Sequence, residues 1–537
     1  MNSGLRRSNS LSANTLAQTL PLVAGYTLNV AATPLIVQRL GLASFGVWAL
    51  TGAIAQYGAL LDLGTSRAVV RFISYHSSTG NVRAERGARL LAIAIIAVLW
   101  CVLLALCVPT AILLQRHLRS IDTTELSVLL VCSVTMLVAT LFARAVCGFA
   151  FGHQQMVQGN IALALGNTLT VGGGIVALLW KSNLLIFAAG NAIGAIIGLL
   201  IAVVATLRVR GELHLARPTR NETREFIRFG LKGQAPSVSD LLVLQMPKIV
   251  LGITVGPAAV GIYEIGSRLA MGARALGVVT VMTLTPYFTR KYAESGLPGV
   301  SQMYNQMTPR YTTLASTPAA FLIASGYPLV FAWVGPENQS AGLVVLVLSA
   351  AFIINVSTGT MTVAANAANR PGLVAWAAIT ASVVSVLLTP IVAHLWEING
   401  ALLSVLIATI SGAAAEFVLV GRMLDSKWTS PTMVALRPAV YLLGMASLLA
   451  LAGSLIQTNS KIESAIQVLA SSLCLFLLLV FAQPSARRRM RHICKLNLTA
   501  AWVKVRSYQY RPRQSNQGQK TLRESVGARH KGARNEE

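Results

Sequence analysis

Apolar runs of about 20 residues or more follow one another along this chain as far as Gln483. A run of that length is what an α-helix needs to cross a hydrocarbon core of ~30 Å, and inside a bilayer the backbone must satisfy its own hydrogen bonds. Strand-length alternation of apolar and polar residues, the mark of a membrane barrel, is absent. The chain is 54% hydrophobic and 12% charged, too poor in charge for a soluble globular protein. The reading is an all-α polytopic membrane protein with about fourteen transmembrane helices. The expected organisation is an N-terminal tail (1–13), a six-helix lobe (14–210), a basic linker (211–232), a second six-helix lobe (233–425), two further helices (426–483) and a basic tail (484–537).

The formal charge of +26 follows largely from topology. Loops after even-numbered spans hold twenty Lys and Arg, seven of them between Arg208 and Lys232, whereas loops after odd-numbered spans hold five. The positive-inside rule then places both termini in the cytoplasm, and the charge is not read as a nucleic-acid footprint. Fourteen basic residues follow Gln483, and the cluster Arg487, Arg488, Arg489 and Arg491 abuts the last helix. Such a patch can hold anionic lipid headgroups or meet glycan-assembly proteins; the alternative is a solvated tail. Arg6 and Arg7 precede an apolar stretch too long for a signal peptide, so a retained first span is expected. The six cysteines have no C-x-x-C spacing, and no metal or other cofactor is expected.

One hairpin, Gly233 to Arg290, carries charge inside its apolar stretches: Asp240 and Lys248 before the turn at Val255–Ala259, and Glu264, Arg268 and Arg274 after it. Ionisable groups in a bilayer are costly and usually face a partner or a wet cavity. At ~1.5 Å per residue, Lys248 and Glu264 lie at similar depth, as do Asp240 and Arg274. Arg268 is left over, or pairs with Glu264 four residues before it, and the five groups sum to one positive charge. Polar Gln18, Asn29, Gln56, Tyr57, Asn355 and Asn366 can line a cavity or join helices. Gly172, Gly173 and Gly174 lack the Lys-Ser/Thr of a phosphate loop and mark a close-packed or bendable helix. A break is expected between spans Leu373–Leu395 and Asn399–Met423; Glu416, alone in the second of these, is the candidate proton carrier.

The outer turn Leu40-Gly41-Leu42-Ala43-Ser44-Phe45-Gly46-Val47-Trp48 matches Val255-Gly256-Pro257-Ala258-Ala259-Val260-Gly261-Ile262-Tyr263 at an offset of 215 residues. In each, two glycines stand five apart and an aromatic follows two residues on. An even number of spans lies between them, so the repeat is parallel, about an axis along the membrane normal, with a cavity between two bundles.

The stretch Arg39-Leu40-Gly41 through Phe45-Gly46 and Trp48, with Leu61-Asp62-Leu63-Gly64 and Arg71-Phe72, resembles the first hairpin of polysaccharide transporters in the MOP flippase superfamily. Val260-Gly261-Ile262-Tyr263, Ser267-Arg268-Leu269-Ala270 and Thr285-Pro286 resemble the eighth helix of the same group. The resemblance covers roughly Asn14 to Gln483. It implies a bacterial inner-membrane protein whose two lobes close alternately on a central cavity to move undecaprenyl-pyrophosphate-linked oligosaccharide between leaflets. A pyrophosphate then meets Arg268 with Lys248 or Arg274, while Arg67 and Arg71, four apart, receive it first and Asp62 holds one of them. Interface snorkelling is the alternative for this trio.

No nucleotide-binding motif, metal-spaced His cluster or large outer loop points to an enzyme. A membrane enzyme of polysaccharide assembly is therefore the weaker alternative. So is a drug or cation antiporter of the same superfamily, which needs buried carboxylates: here Asp240, Glu264 and Glu416 are matched or outnumbered locally by basic groups.

Overall fold

The computed structural model describes residues 25–62, 64–118, 121–210, 214–232, 234–425, 429–456 and 460–482. Every regular element among them is helical. By contacts the chain divides into residues 1–475, which hold all the sites below, and residues 476–537, of which 476–482 are described and helical. Among the described residues, eleven stretches are long and apolar enough to cross a membrane.

Helix α1 covers residues 25–40, and α2 Leu42–Tyr57 is followed by a 3₁₀ turn, Gly58–Asp62. Next come α3 Thr65–Ser78, α4 Val82–Gln115, α5 Thr123–Gly152, α6 Met156–Trp180, α7 Leu184–Arg210 and the short α8 Arg220–Lys232. The second half holds α9 Ala235–Thr254, α10 Pro257–Met282, α11 Thr285–Val334, α12 Ala341–Ser357, α13 Gly359–Ala367 and α14 Pro371–Leu424, followed by α15 Thr429–Ser454 and α16 Lys461–Ala482. Local chemistry starts several of these helices. Asn81 accepts from the Ala84 N–H to cap α4, Asp122 caps α5, and proline stands in the first turn of α9, α10, α11 and α14.

At 54 residues, α14 would run ~80 Å if straight, far beyond a bilayer. It reverses at Trp396 and Glu397, within the interval expected between the two spans. Its arms then pack on each other: the Thr389 hydroxyl donates to Ser404 at 3.0 Å, and a Cβ on Gly412 would meet Ala381 at 2.8 Å. In α11 the helix breaks at Gly296, φ 61°, and the later arm returns beside α10, where Gly277 faces the Ala315 carbonyl.

Three spans expected from the apolar runs, Phe45–Ser74, Ala259–Phe288 and Ala341–Ala365, are interrupted, the second at Thr283 and Leu284 between α10 and α11. Phe45–Ser74, expected as one helix, breaks through the 3₁₀ turn and Gly64, whose φ of 69° suits glycine. Ala341–Ala365 breaks at Thr358, between α12 and α13. The Gly172–Gly174 stretch is packing, not a bend. Gly173 lies against the Gly190 carbonyl, and Gly166 against Gly198 in α7, in the manner of small-residue seams between membrane helices.

Helices of each half pack chiefly among themselves, and α2 meets α9 and α10 across the middle. There the repeated turns interlock. A Cβ on Gly46 would stand 1.8 Å from the Pro257 carbonyl oxygen, and one on Gly261 would stand 2.6 Å from that of Leu42. Further along, Gln245 donates to Gln56 at 3.0 Å.

Candidate functional site

Gly256, at φ 121°, reverses the chain between α9 and α10 and sets their charged positions side by side. Lys248 Nζ lies 2.7 Å from Glu264 Oε2, an ion-pair contact without the alignment of a directed hydrogen bond. The other carboxylate oxygen accepts from Arg268 Nε at 2.9 Å. One carboxylate thus serves two cations, and the trio keeps a net positive charge. All three side chains are largely buried, so each cation depends on its partner for the solvation it has lost. Arg268 also reaches the other half: its Nη1 donates to Thr33 Oγ1 at 2.9 Å and toward the Asn29 carbonyl at 3.4 Å, and the guanidinium lies 4.9 Å from the centre of the Phe45 ring. Trp333 adds a second tie, donating to the Val30 carbonyl at 3.1 Å.

Lower on the same hairpin, Arg274 Nη2 donates to Asp240 Oδ1 at 2.7 Å and its Nε to Asn355 Oδ1 at 3.2 Å. This pair opens onto a cavity of about 530 Å³ that is also lined by Arg67, Asn355, Asn366 and Glu416. That volume is within the range of small-molecule sites, roughly 300–1,000 Å³. Glu416 is buried at its wall and accepts from the Thr362 hydroxyl at 2.6 Å. Arg67 projects from α3 and donates to Ser237 Oγ at 3.3 Å, a bond between halves on the side of the basic loops.

The structure corrects two assignments. Arg71 does not share the cavity with Arg67. Its guanidinium stacks 4.0 Å from the centre of the Phe229 ring, because α8 folds back onto α3 and offers an aromatic face there. Arg144, one of the twenty basic residues assigned to loops after even-numbered spans, sits inside α5, although the fourth apolar run, expected to span from Leu126 to Phe149, already contained it. Arg144 stands in the field of both Asp62 and Tyr26. Tyr26 also lies in the field of Arg274 and Asp240. Asp62 is buried with Oδ1 lacking a hydrogen-bond donor, and its cationic neighbour from α5 was not visible in local spacing. Thr33 and Trp333 were also missed, since neither residue type marks a contact 235 or 303 positions away. Gln18 and the basic tail lie outside the described residues. Among the described residues no three His, Cys, Asp or Glu side chains gather as a metal site.

Several solved structures share this architecture. Lipid II flippase MurJ in an inward closed conformation superposes with a TM-score of 0.64 at 12% identity, over 87% of this chain and 98% of that one. An outward-facing multidrug resistance MATE transporter of the MOP superfamily gives 0.54 at 14% identity, over 78% of this chain and 96% of that one. A MOP superfamily transporter from Pyrococcus furiosus, described as having a binding pocket of reverse polarity, gives the same values. At these identities the likeness is one of fold. In sequence, the uncharacterized membrane protein EpsK of Bacillus subtilis is 22% identical over 348 residues, 62% of this chain and 66% of EpsK, so the match spans just under two thirds of that relative. The family model described as polysaccharide biosynthesis protein matches residues 11–291, more than half of the chain. The chain therefore belongs to the polysaccharide biosynthesis protein family.

Proposed function

We propose that this protein is a flippase that carries a polyprenyl-pyrophosphate-linked oligosaccharide from the inner to the outer leaflet of the bacterial inner membrane. Two lobes, 14–210 and 233–425, rock around a cationic cavity, and both termini are cytoplasmic. The observation that carries this reading is the balance of charge on the α9–α10 hairpin: Glu264 is shared by Lys248 and Arg268, and Arg274 faces open space beside Asp240. A pyrophosphate cannot cross hydrocarbon unassisted, and guanidinium groups match its oxygens in both charge and geometry. Arg67, at the cavity wall on the basic side, and Arg144 extend the same field.

The cation-antiporter reading shares the fold but not the charge pattern. Asp240, Glu264 and Asp62 each have an arginine or lysine nearby. Glu416 has the Thr362 hydroxyl, and we assign it as the proton carrier that couples the step to a gradient. The transport step needs no bond making, so the chain acts as a transporter rather than an enzyme.

The test is a proteoliposome assay of a labelled undecaprenyl-pyrophosphate oligosaccharide, reading its accessibility in the opposite leaflet. Wild type moves the lipid; Arg268→Ala abolishes movement while insertion and abundance stay near wild type, and Arg268→Lys keeps part of it. No movement with any of several oligosaccharides, together with uptake of a cationic dye, would overturn the reading in favour of the antiporter. For Glu416→Gln, transport continues but loses its response to an imposed proton gradient; an unchanged response would remove Glu416 from the coupling.

A further inference from the structure

Helix α8 presents two different faces. It begins with a capping box: the Thr219 hydroxyl accepts from the Glu222 N–H at 3.3 Å, and Glu222 Oε2 accepts from the Thr219 N–H at 2.6 Å. One face is packed onto the first half. Phe226 is 2% exposed and its ring lies 5.4 Å from that of Phe72, Phe229 receives Arg71, and the Gly230 carbonyl stands 2.5 Å from where a Cβ on Gly64 would sit. Just before the helix, Pro218 covers Gly87 of α4.

The opposite face carries Arg220, Arg224 and Arg228, all exposed. Four-residue spacing keeps them within an arc of ~80°. Leu231, 49% exposed, falls inside the same arc. Glu222 is committed to the cap, and the exposed Glu225 lies beyond the edge of the arc, ~60° past Arg228. The helix stands between one stretch long and apolar enough to cross a membrane, which ends at Arg208, and the next, which starts at Pro236, so the chain keeps it close to the ends of both.

We infer that this stripe binds the headgroups of anionic phospholipids in the adjoining leaflet, with Leu231 entering the boundary between headgroups and acyl chains. A straight row of arginines beside an exposed leucine suits a charged, oil-backed plane. It offers no concavity for a free phosphate. Because Phe226 and Gly230 lock α8 to α3, headgroup contact fixes the edge of the first half to the leaflet and leaves the second half to move against it.

Native mass spectrometry of the full-length protein, exchanged into mixed phosphatidylglycerol and phosphatidylcholine micelles, tests this by counting retained lipids. Wild type prefers phosphatidylglycerol. The variant Arg220→Gln/Arg224→Gln/Arg228→Gln lowers that preference about tenfold, the matching triple Lys variant keeps it, and Arg83→Gln/Arg86→Gln changes it little. An unchanged preference in the triple Gln variant overturns the inference, as does an equal loss in the Arg83/Arg86 variant, which would indicate an undirected basic rim. Displacement of the lipid from wild type by soluble polyglutamate at equal charge would also overturn it, in favour of an acidic protein partner. If the triple Gln variant fails to fold in phosphatidylcholine, Arg224→Gln alone is read for about a twofold drop, and no drop overturns the inference.

Discussion

The hairpins α1–α2 and α9–α10 share a turn and little else. Each reverses at a glycine of positive φ, 80° at Gly41 and 121° at Gly256, and each places a second glycine five residues on. Gly46 and Gly261 then let the two helices meet backbone to backbone. The charged positions are not repeated. At the offset of 215 residues, Lys248 corresponds to Thr33, Glu264 to Ala49 and Arg268 to Ala53. What the halves have in common is a packing device, and what distinguishes them is chemistry: the second supplies the cations at this level, and the first supplies neutral acceptors. The halves are also joined unequally. Interlocked backbones hold them at the repeated turns, whereas Arg67 to Ser237 is a bond between side chains on the basic side. Opening toward the basic side therefore disturbs less packing than opening at the turns.

The harshest way to break the shared part is to fill Gly46. A side chain there would begin 1.8 Å from the Pro257 oxygen, so the helices cannot close without separating by more than an ångström. For Gly46→Leu we expect the side of the repeated turns to stay open and transport to fall at least about 100-fold, because a stuck gate stops the cycle. Thiol labelling of Thr33→Cys from that side reads the opening directly; Thr33 is fully buried in wild type. Protection of that thiol in the Gly46→Leu background would show that the glycine contact is not the seal.

Removing a carboxylate from each ion pair sharpens the unshared part. Glu264→Gln strands Lys248 and Arg268, both largely buried, and should cost about 3–5 kcal/mol, the usual range for breaking one partner out of a buried pair. Asp240→Asn should cost about 1 kcal/mol or less, because 54% of the Asp240 side chain is exposed and water screens Arg274. Thermal unfolding in one detergent compares the two directly. Equal losses would mean that Asp240 is more enclosed during unfolding than its exposure implies.

Much of this arrangement was legible in the sequence. Apolar run lengths gave helices, the break at Trp396 and Glu397 fell in the interval between two expected spans, and depth counting set Lys248 beside Glu264 and Asp240 beside Arg274. Those features depend on rise per residue and on neighbours along one hairpin. What escaped depends on distant packing: Arg71 is claimed by Phe229, which belongs to a helix that folds back from the linker, and Gly64 breaks its helix where the Gly230 carbonyl approaches. Arg144 escaped for another reason. Counting charges by loop assigns every arginine near a span end to the nearest loop, although the expected span Leu126–Phe149 already placed this one five residues inside a helix.

The mildest perturbation touches the place where the two hairpins exchange roles. Thr33 and Lys248 occupy matched positions and converge on the Glu264–Arg268 pair, one by a hydroxyl and one by an ammonium. Thr33→Val keeps the shape and removes the acceptor for Arg268 Nη1. Because Arg268 retains Glu264 and the Asn29 carbonyl, the loss should be that of one interhelical hydrogen bond in a membrane, about 0.6 kcal/mol. That corresponds to roughly a threefold shift toward the state in which the halves separate at the turns. Distance measurements between spin labels on α1 and α10 would register the shift as a larger population of the separated state. In Thr33→Val combined with Arg268→Lys, the two changes should fail to add, because the lysine no longer spans to Thr33 and the valine then removes nothing. Full additivity would place the contact outside the gate and leave the glycines as the element that holds the halves together.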